Sequence, residues 1–180
     1  MQHQLKSISK AGIPEAIAKV ELYRYLNEPE EAESICRDIL AIDPDHQLAR
    51  RMLGLSITDQ FTGRTGDRYD EARTIFQGLH DAYERNYYTG LLLERRAKAQ
   101  LRAGSAAHIL LPLVEEALKC FAEAEKIRPA GNDDSILRWN RCVRLLESHP
   151  EFHIQHPGPS SFDSEEAPPV RISGRRAGSR

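Results

Sequence analysis

Apolar residues recur at helical spacing along most of the chain. The stripe Ala117, Phe121 and Ala124, for example, has intervals of four and three residues, which place the three side chains on one face of a helix. No segment alternates apolar and polar residues over the length that a half-buried strand requires. The pattern therefore predicts an all-α fold.

Several residues mark where these helices should begin and end. Pro14 suits the first turn of a helix, and Asp81 precedes Glu84 by three residues, as in a capping box. Gly104 is expected to end the helix that follows Asp81. Residues 132–134 supply Asn and Asp oxygens that suit the start of a last helix.

One pattern occurs three times along the chain. An acidic pair precedes an alanine, and a second stripe residue follows that alanine by four positions. The copies are Glu30-Glu31-Ala32 with Cys36, Asp70-Glu71-Ala72 with Phe76, and Glu115-Glu116-Ala117 with Phe121. A helix precedes each copy, and in the second and third units Gly54 and Ala97 are the small residues expected to allow close helix packing.

These units resemble the tetratricopeptide repeat family, most closely at residues 30–44 and 115–129. The resemblance covers approximately residues 14–148. It implies a right-handed α-solenoid of about three helix–turn–helix units plus a C-terminal capping helix. An irregular helical bundle that happens to repeat the acidic-acidic-Ala triplet is the alternative.

The repeats depart from the family in length. Their alanines are 40 and then 45 residues apart, where the family has about 34. We expect the first excess in a Gly-rich polar loop at residues 61–68. The second excess lies mostly at residues 105–113, which are apolar and are expected to be packed.

The chain changes character near residue 150. We predict an N-terminal lead at residues 1–13, a helical domain at 14–149 and a disordered tail rich in Pro, Ser and Arg at 150–180. In that tail the acidic residues come first and the basic residues last. They are Glu151, Asp163, Glu165 and Glu166, followed by Arg171, Arg175, Arg176 and Arg180.

Composition excludes several classes of protein. The 25 basic and 27 acidic residues give a formal charge of −2, which argues against a dedicated nucleic-acid binder. No apolar run approaches the ~18 residues of a membrane span, and the N-terminus lacks the pattern of a signal peptide. Three cysteines without a Cys-x-x-Cys pair indicate a reducing, cytoplasmic setting.

Residues for catalysis or for a cofactor do not converge in the sequence. The histidines His149, His153 and His156 are close together but lack a carboxylate or thiol frame for a metal. Residues 62–66 contain two glycines but lack the strand and the Lys-Ser/Thr of a phosphate-binding loop. We therefore expect no catalytic residues, no metal and no cofactor.

The family resemblance implies where a partner would bind. In this family the first helices of successive repeats line a concave groove, and the lining here is expected to suit a protein segment. We expect a non-catalytic adaptor or scaffold; the alternative is a regulatory subunit or chaperone dedicated to one client. The predicted groove residues are Arg51, Leu55 and Thr58, then Glu94, Lys98 and Leu101, with Ile17, Glu21 and Arg24 in the first unit.

The resemblance also bears on chaperone docking and on the side of the solenoid opposite the groove. Some family members bind a C-terminal carboxylate of chaperones through Lys and Asn residues, but Glu21, Leu55 and Lys98 stand where the asparagines should be. Docking of that type is therefore not expected. Glu33 and Lys119 are expected to be exposed on the opposite, convex side.

Overall fold

The computed structural model describes residues 3–64 and 67–153, and within those ranges all regular structure is helical. The predicted all-α class is confirmed. The α-helices of these ranges are α1 (Ile13–Tyr25), α2 (Pro29–Ile42), α3 (Gln47–Asp59), α4 (Tyr69–Gln77), α5 (Ala82–Arg102), α6 (Ala107–Lys126) and α7 (Asp134–Ser148).

The helices pack in the order of the chain. Each α-helix contacts the next, so that α1 with α2, α3 with α4, and α5 with α6 form three successive pairs, and α7 packs on α6. The first helices of successive pairs also touch: α1 contacts α3, α3 contacts α5, and α5 contacts α7. One row of helices therefore consists of α1, α3, α5 and α7.

Local sequence signals set several helix ends. The Asp81 carboxylate accepts a hydrogen bond from the Glu84 backbone N–H at 2.8 Å, which caps the start of α5 as predicted. Gly104 has a φ of +92°, and α5 stops just before it, also as predicted. At α7 the Asn132 side chain is the capping acceptor, since its Oδ1 accepts from the Asp134 N–H at 2.9 Å.

Small residues in the first helices make room for phenylalanine rings from the second helices. A Cβ built on Gly54 would lie 2.4 Å from Cε1 of Phe76, and one built on Gly90 would lie 2.8 Å from Cε1 of Phe121. The close packing predicted at Gly54 is confirmed. In the third pair Gly90, and not the predicted Ala97, is the counterpart of Gly54, because α5 is eight residues longer than α3.

The two segments that lengthen the repeats, at residues 61–68 and 105–113, differ in structure where they are described. Within residues 61–64 and 67–68, the Asp67 carboxylate accepts hydrogen bonds from the backbone N–H groups of Thr62 (3.0 Å) and Gly63 (2.7 Å). Gly63 has a φ of +83° and lies so close to α5 that a Cβ would be 2.4 Å from the Ala99 carbonyl oxygen. Most of residues 105–113 extends α6, with Leu110 only 3% exposed, as the apolar sequence predicts.

The folded part extends past the predicted C-terminal boundary at residue 149. Residues Pro150–His153 form a short 3₁₀ helix, and Phe152 is 1% exposed in the core between α6 and α7. The predicted boundary was therefore wrong for these four residues, because one large apolar side chain is enough to fix the turn against the core. The rest of the predicted tail, residues 154–180, lies outside the described residues.

Glu33 was wrongly expected to lie on an exposed surface. It is 9% exposed, and its carboxylate accepts hydrogen bonds from Arg68 (2.5 and 2.6 Å), Arg37 (2.7 and 2.9 Å) and Gln60 (2.8 Å). The hydrogen bonds from Arg68, with those from Gln60 and Arg37, outweigh burial and lower the pKa of Glu33 to about 2. Lys119 is exposed on α6, as expected.

Candidate functional site

The predicted groove residues lie on α3 and α5, which are in contact, but half of them are buried. Leu55 is 8% exposed, Thr58 4% and Glu94 1%, while Arg51, Lys98 and Leu101 are half-buried. A first helix in this fold contacts three or four other elements, so only a narrow strip of its surface faces solvent. In the first unit Ile17 and Arg24 are half-buried and Glu21 is exposed.

A cavity of about 250 Å³ opens between α3, α5 and α7. Four of its lining side chains are cations and one is a carboxylate, so the lining carries a net charge of about +3. We call this cavity the basic pocket. It is lined by Thr58, Asp59, Phe61, Arg95, Lys98, Arg102 and Arg138.

Arg95 forms the wall of the basic pocket against α3. Its Nη1 donates hydrogen bonds to the Thr58 hydroxyl (2.6 Å) and to the Leu55 carbonyl (3.3 Å), and it forms an ion pair with Asp59. Asp59 also pairs with Arg24 at 2.8 Å. Burial lowers the pKa of Arg95, and the neighbouring Asp59 opposes that effect. An arginine keeps its charge in such a setting, so the wall remains cationic.

The buried carboxylate of Glu94 lies next to two other cations of the basic pocket, Lys98 and Arg138. Its carboxylate is 1% exposed, with Oε1 at 3.2 Å from Nζ of Lys98 and Oε2 at 3.7 Å from Nη1 of Arg138. Oε2 accepts no hydrogen bond from the residues that the structure describes. A buried carboxylate needs nearby positive charge, and Glu94 therefore anchors one cation from α5 and one from α7.

Arg102 is the cation least constrained by the fold. It is exposed at the last residue of α5, and its side chain forms no hydrogen bond or ion pair with the residues that the structure describes. Its guanidinium is therefore available to a ligand. Arg95, Lys98 and Arg102 follow the spacing i, i+3, i+7, which places them on one side of α5.

Sequence reasoning recognised only part of the basic pocket. Thr58 and Lys98 were predicted groove residues, but Asp59, Arg95, Arg102 and Arg138 were not. The i, i+3, i+7 spacing of Arg95, Lys98 and Arg102 was the signal that would have found the two arginines of α5.

The same three helices line a second cavity, of about 210 Å³, at the N-terminal ends of α5 and α7. Three tyrosines and three carboxylates surround it, together with Arg51, which pairs with Glu84 at 2.5 Å. We call it the tyrosine pocket. Its lining is Arg51, Asp81, Tyr83, Glu84, Tyr87, Tyr88, Pro129, Asn132 and Asp134.

The tyrosines of this pocket are held by one another and by α7. The rings of Tyr83 and Tyr87 stack with their centroids 5.7 Å apart, and Tyr88 meets Tyr87 edge to face at 5.0 Å. The Tyr83 hydroxyl donates a hydrogen bond to Asn132 at 3.1 Å. Burial raises the pKa of Tyr88 to about 12 and also raises the pKa of Tyr83, so both of these phenols stay neutral near pH 7.

Nucleophiles and metal ligands do not gather in the described residues. Burial raises the pKa of the Cys36 and Cys142 thiols to about 12 and that of Cys120 to about 11, which suppresses thiolate reactivity near neutral pH. Over residues 3–64 and 67–153, no group of three His, Cys, Asp or Glu side chains is placed to hold a metal ion.

Comparisons with known proteins identify no relative. The chain matches no protein-family model, no curated protein and no solved structure. Within the described part of the chain, no helix has both the length and the apolar character needed to cross a membrane.

Proposed function

We propose that this chain is a non-catalytic, cytoplasmic protein-interaction module, built as a right-handed solenoid of TPR-like helix pairs, that binds an acidic protein segment along α3, α5 and α7. The repeated packing supports the proposed architecture. In two successive pairs a glycine of the first helix receives a phenylalanine ring of the second, Gly54 with Phe76 and Gly90 with Phe121. The contacts of α1 with α3, α3 with α5 and α5 with α7 suit stacked units.

The observation that carries the function is the basic pocket. Four cations converge from two helices while the whole chain has a net charge of −2, so this charge is local and not a consequence of composition. Asp59 and Glu94 fix Arg95, Lys98 and Arg138 in place. A preorganised cluster of this kind loses little entropy when it binds an anion.

The shape of the pocket indicates the kind of anion. A cavity of about 250 Å³ accommodates one or two side chains. Guanidinium groups bind carboxylates with two parallel hydrogen bonds, and the cavity is lined by one arginine near the end of α5, Arg102, and one from α7, Arg138. Because the cavity lies along a row of helices, the ligand is best described as an extended acidic segment of another protein.

Selection from a random peptide display library tests this function. The baits are the full chain and the chain ended after His153, because the described core is complete at that residue. We expect enriched peptides to share a cluster of at least two Asp or Glu residues. Enrichment of peptides without an acidic cluster would contradict the proposal, as would failure of both baits to enrich any peptide.

Two charge-reversal variants show whether the selected peptides bind at the basic pocket. Arg102→Glu changes the pocket without breaking an ion pair of the described fold, and it should abolish enrichment of acidic peptides. Lys119→Glu makes the same change of charge on the exposed face of α6, where it removes only an exposed ion pair with Glu116, and it is the control, with unchanged enrichment expected.

A further inference from the structure

The two cavities on α3, α5 and α7 have opposite electrostatic character. The basic pocket has four cations and one carboxylate in its lining, whereas the tyrosine pocket has three carboxylates and one cation. Within the tyrosine pocket, three aromatic rings and three carboxylates in the lining together favour a guanidinium or ammonium group. A single extended ligand that spans both cavities would therefore need an acidic and a basic part.

Helix geometry gives the separation between the cavities. On α5, Tyr87 of one cavity and Lys98 of the other are eleven residues apart, which is about 16 Å along a helix. On α3, Arg51 and Thr58 are seven residues apart, or about 10 Å. An extended chain covers these distances in about three to five residues.

The C-terminal segment of this chain has charges in the matching order and at a matching spacing. Asp163, Glu165 and Glu166 form its acidic cluster, and Arg171 follows Glu166 by five residues. These four charged residues lie outside the described part of the chain, which ends at His153.

The direction of the chain also fits. α5 and α7 run in the same sense, because the N-terminal ends of both meet at Tyr83 and Asn132. The chain therefore leaves α7 at the end of the row where α5 ends at Arg102, beside the basic pocket. Asp163 follows His153 by ten residues, a length of up to about 33 Å, whereas Arg138 of that pocket lies about 15 Å along α7 from its last residue, Ser148.

We propose that residues 163–171 of this chain occupy its own groove. Asp163, Glu165 and Glu166 bind at the basic pocket, and Arg171 binds at the tyrosine pocket. The segment then runs antiparallel to α5, so that the acidic cluster meets the nearer cavity first. An external acidic segment must displace this internal ligand, and the tail sets a threshold for partner binding.

This inference uses the same groove as the proposed function, but it does not require an external partner. Its test is tryptic cleavage of the full chain after Arg171, followed by mass spectrometry, with cleavage after Arg176 in the same segment as the internal reference. Trypsin needs an accessible, extended arginine. We expect cleavage after Arg171 to be slower than cleavage after Arg176 by about tenfold, since a tethered ligand has a high effective concentration.

Two variants and one control test whether protection of Arg171 from trypsin depends on the groove. Arg102→Glu should bring cleavage after Arg171 to the rate seen after Arg176, and Lys119→Glu should leave the difference intact. The double variant Glu165→Gln, Glu166→Gln should also release Arg171, and it changes no residue of the described fold. Protection should stay constant on tenfold dilution, because the contact is within one chain.

Three results would overturn the inference. Equal cleavage rates after Arg171 and Arg176 in the unaltered chain would show that Arg171 is not bound. Protection that persists in both Arg102→Glu and the glutamine double variant would place the segment elsewhere. Protection that disappears on dilution would mean that a second copy supplies the segment. In each case peptide selection by the chain ended after His153 still tests the proposed function independently.

Discussion

The ring of Phe76 fills the space in which a side chain on Gly54 would stand, with 2.4 Å between Cε1 and an ideal Cβ. Phe76 is fully buried, so its ring has no free volume into which to retreat. Because Gly54 has no side chain, α3 can pack closely against the Phe76 ring of α4. Gly90 of α5 and Phe121 of α6 have the same arrangement.

Replacement of Gly54 should therefore destabilise the protein. Gly54→Ala gains about 1 kcal/mol of helix propensity, yet overpacking against Phe76 should leave a net loss of about 1–3 kcal/mol. The free energy of unfolding, from chemical denaturation, measures this. In the double variant Gly54→Ala, Phe76→Leu part of the loss should be recovered. A stabilised Gly54→Ala would show that the two helices are farther apart than described.

Phe121 should be among the most costly residues to truncate. It is fully buried between α5 and α6, where Gly90 accommodates its ring. Phe121→Ala should lower the free energy of unfolding by about 3–5 kcal/mol. Ile109→Ala on the same helix is the matched control, because Ile109 is 65% exposed and should cost less than about 1 kcal/mol. Similar losses for both would place the wrong face of α6 in the core.

Glu33 should make stability depend on acidic pH. Its pKa is about 2 in the folded chain and near 4.5 when unfolded, so the carboxylate stabilises the fold above about pH 4.5. That contribution, roughly 2–3 kcal/mol, disappears as the pH falls from 4.5 towards 2. Glu33→Gln should therefore be less stable than the unaltered chain at pH 7, with the difference shrinking over this range.

The control for Glu33 is an exposed glutamate of the same helix. Glu31→Gln should change the free energy of unfolding little at any pH, since Glu31 is exposed. Denaturant titrations at several pH values give both curves. A Glu33→Gln deficit that stays constant down to pH 2 would contradict the proposed charge interactions with Arg68 and Arg37.

The C-terminal limit of the fold can be tested by truncation. A chain ended after His149 lacks Phe152, which is 1% exposed, and should be less stable by about 3 kcal/mol than a chain ended after His153. The melting temperatures of the two truncated chains provide the comparison. Equal values would mean that Phe152 does not contribute to the core, and that the sequence-predicted boundary at residue 149 was adequate.

Signals that act within one helix were readable from the sequence. The Asp81 cap, the stop at Gly104 and the stripe of Phe121 depend on residues a few positions apart, so local rules were sufficient. The family resemblance added the expectation that first helices would lie side by side. The counterpart of Gly54 was misplaced at Ala97 because the length of α5 was not evident from the repeat spacing.

Local sequence rules did not predict which of the proposed groove residues would be exposed to solvent. A step of one residue turns a helix by 100°, so Glu94 is buried while Arg95 lines the basic pocket. That difference depends on where α3 and α7 contact α5, which no local pattern reports. Arg51 and Lys98 are also engaged with Glu84 and Glu94, so reversing their charges would disturb the fold as well as the groove.

The most direct test of the account is the affinity of one selected acidic peptide for the basic pocket. The dissociation constant, from isothermal titration calorimetry, should rise by about tenfold or more in Arg102→Glu and should be unchanged in Lys119→Glu. It should also rise with ionic strength in the unaltered chain, since the contact is electrostatic. Equal affinity in Arg102→Glu and the unaltered chain, with a loss in Lys119→Glu, would place binding on the outer surface and contradict the account.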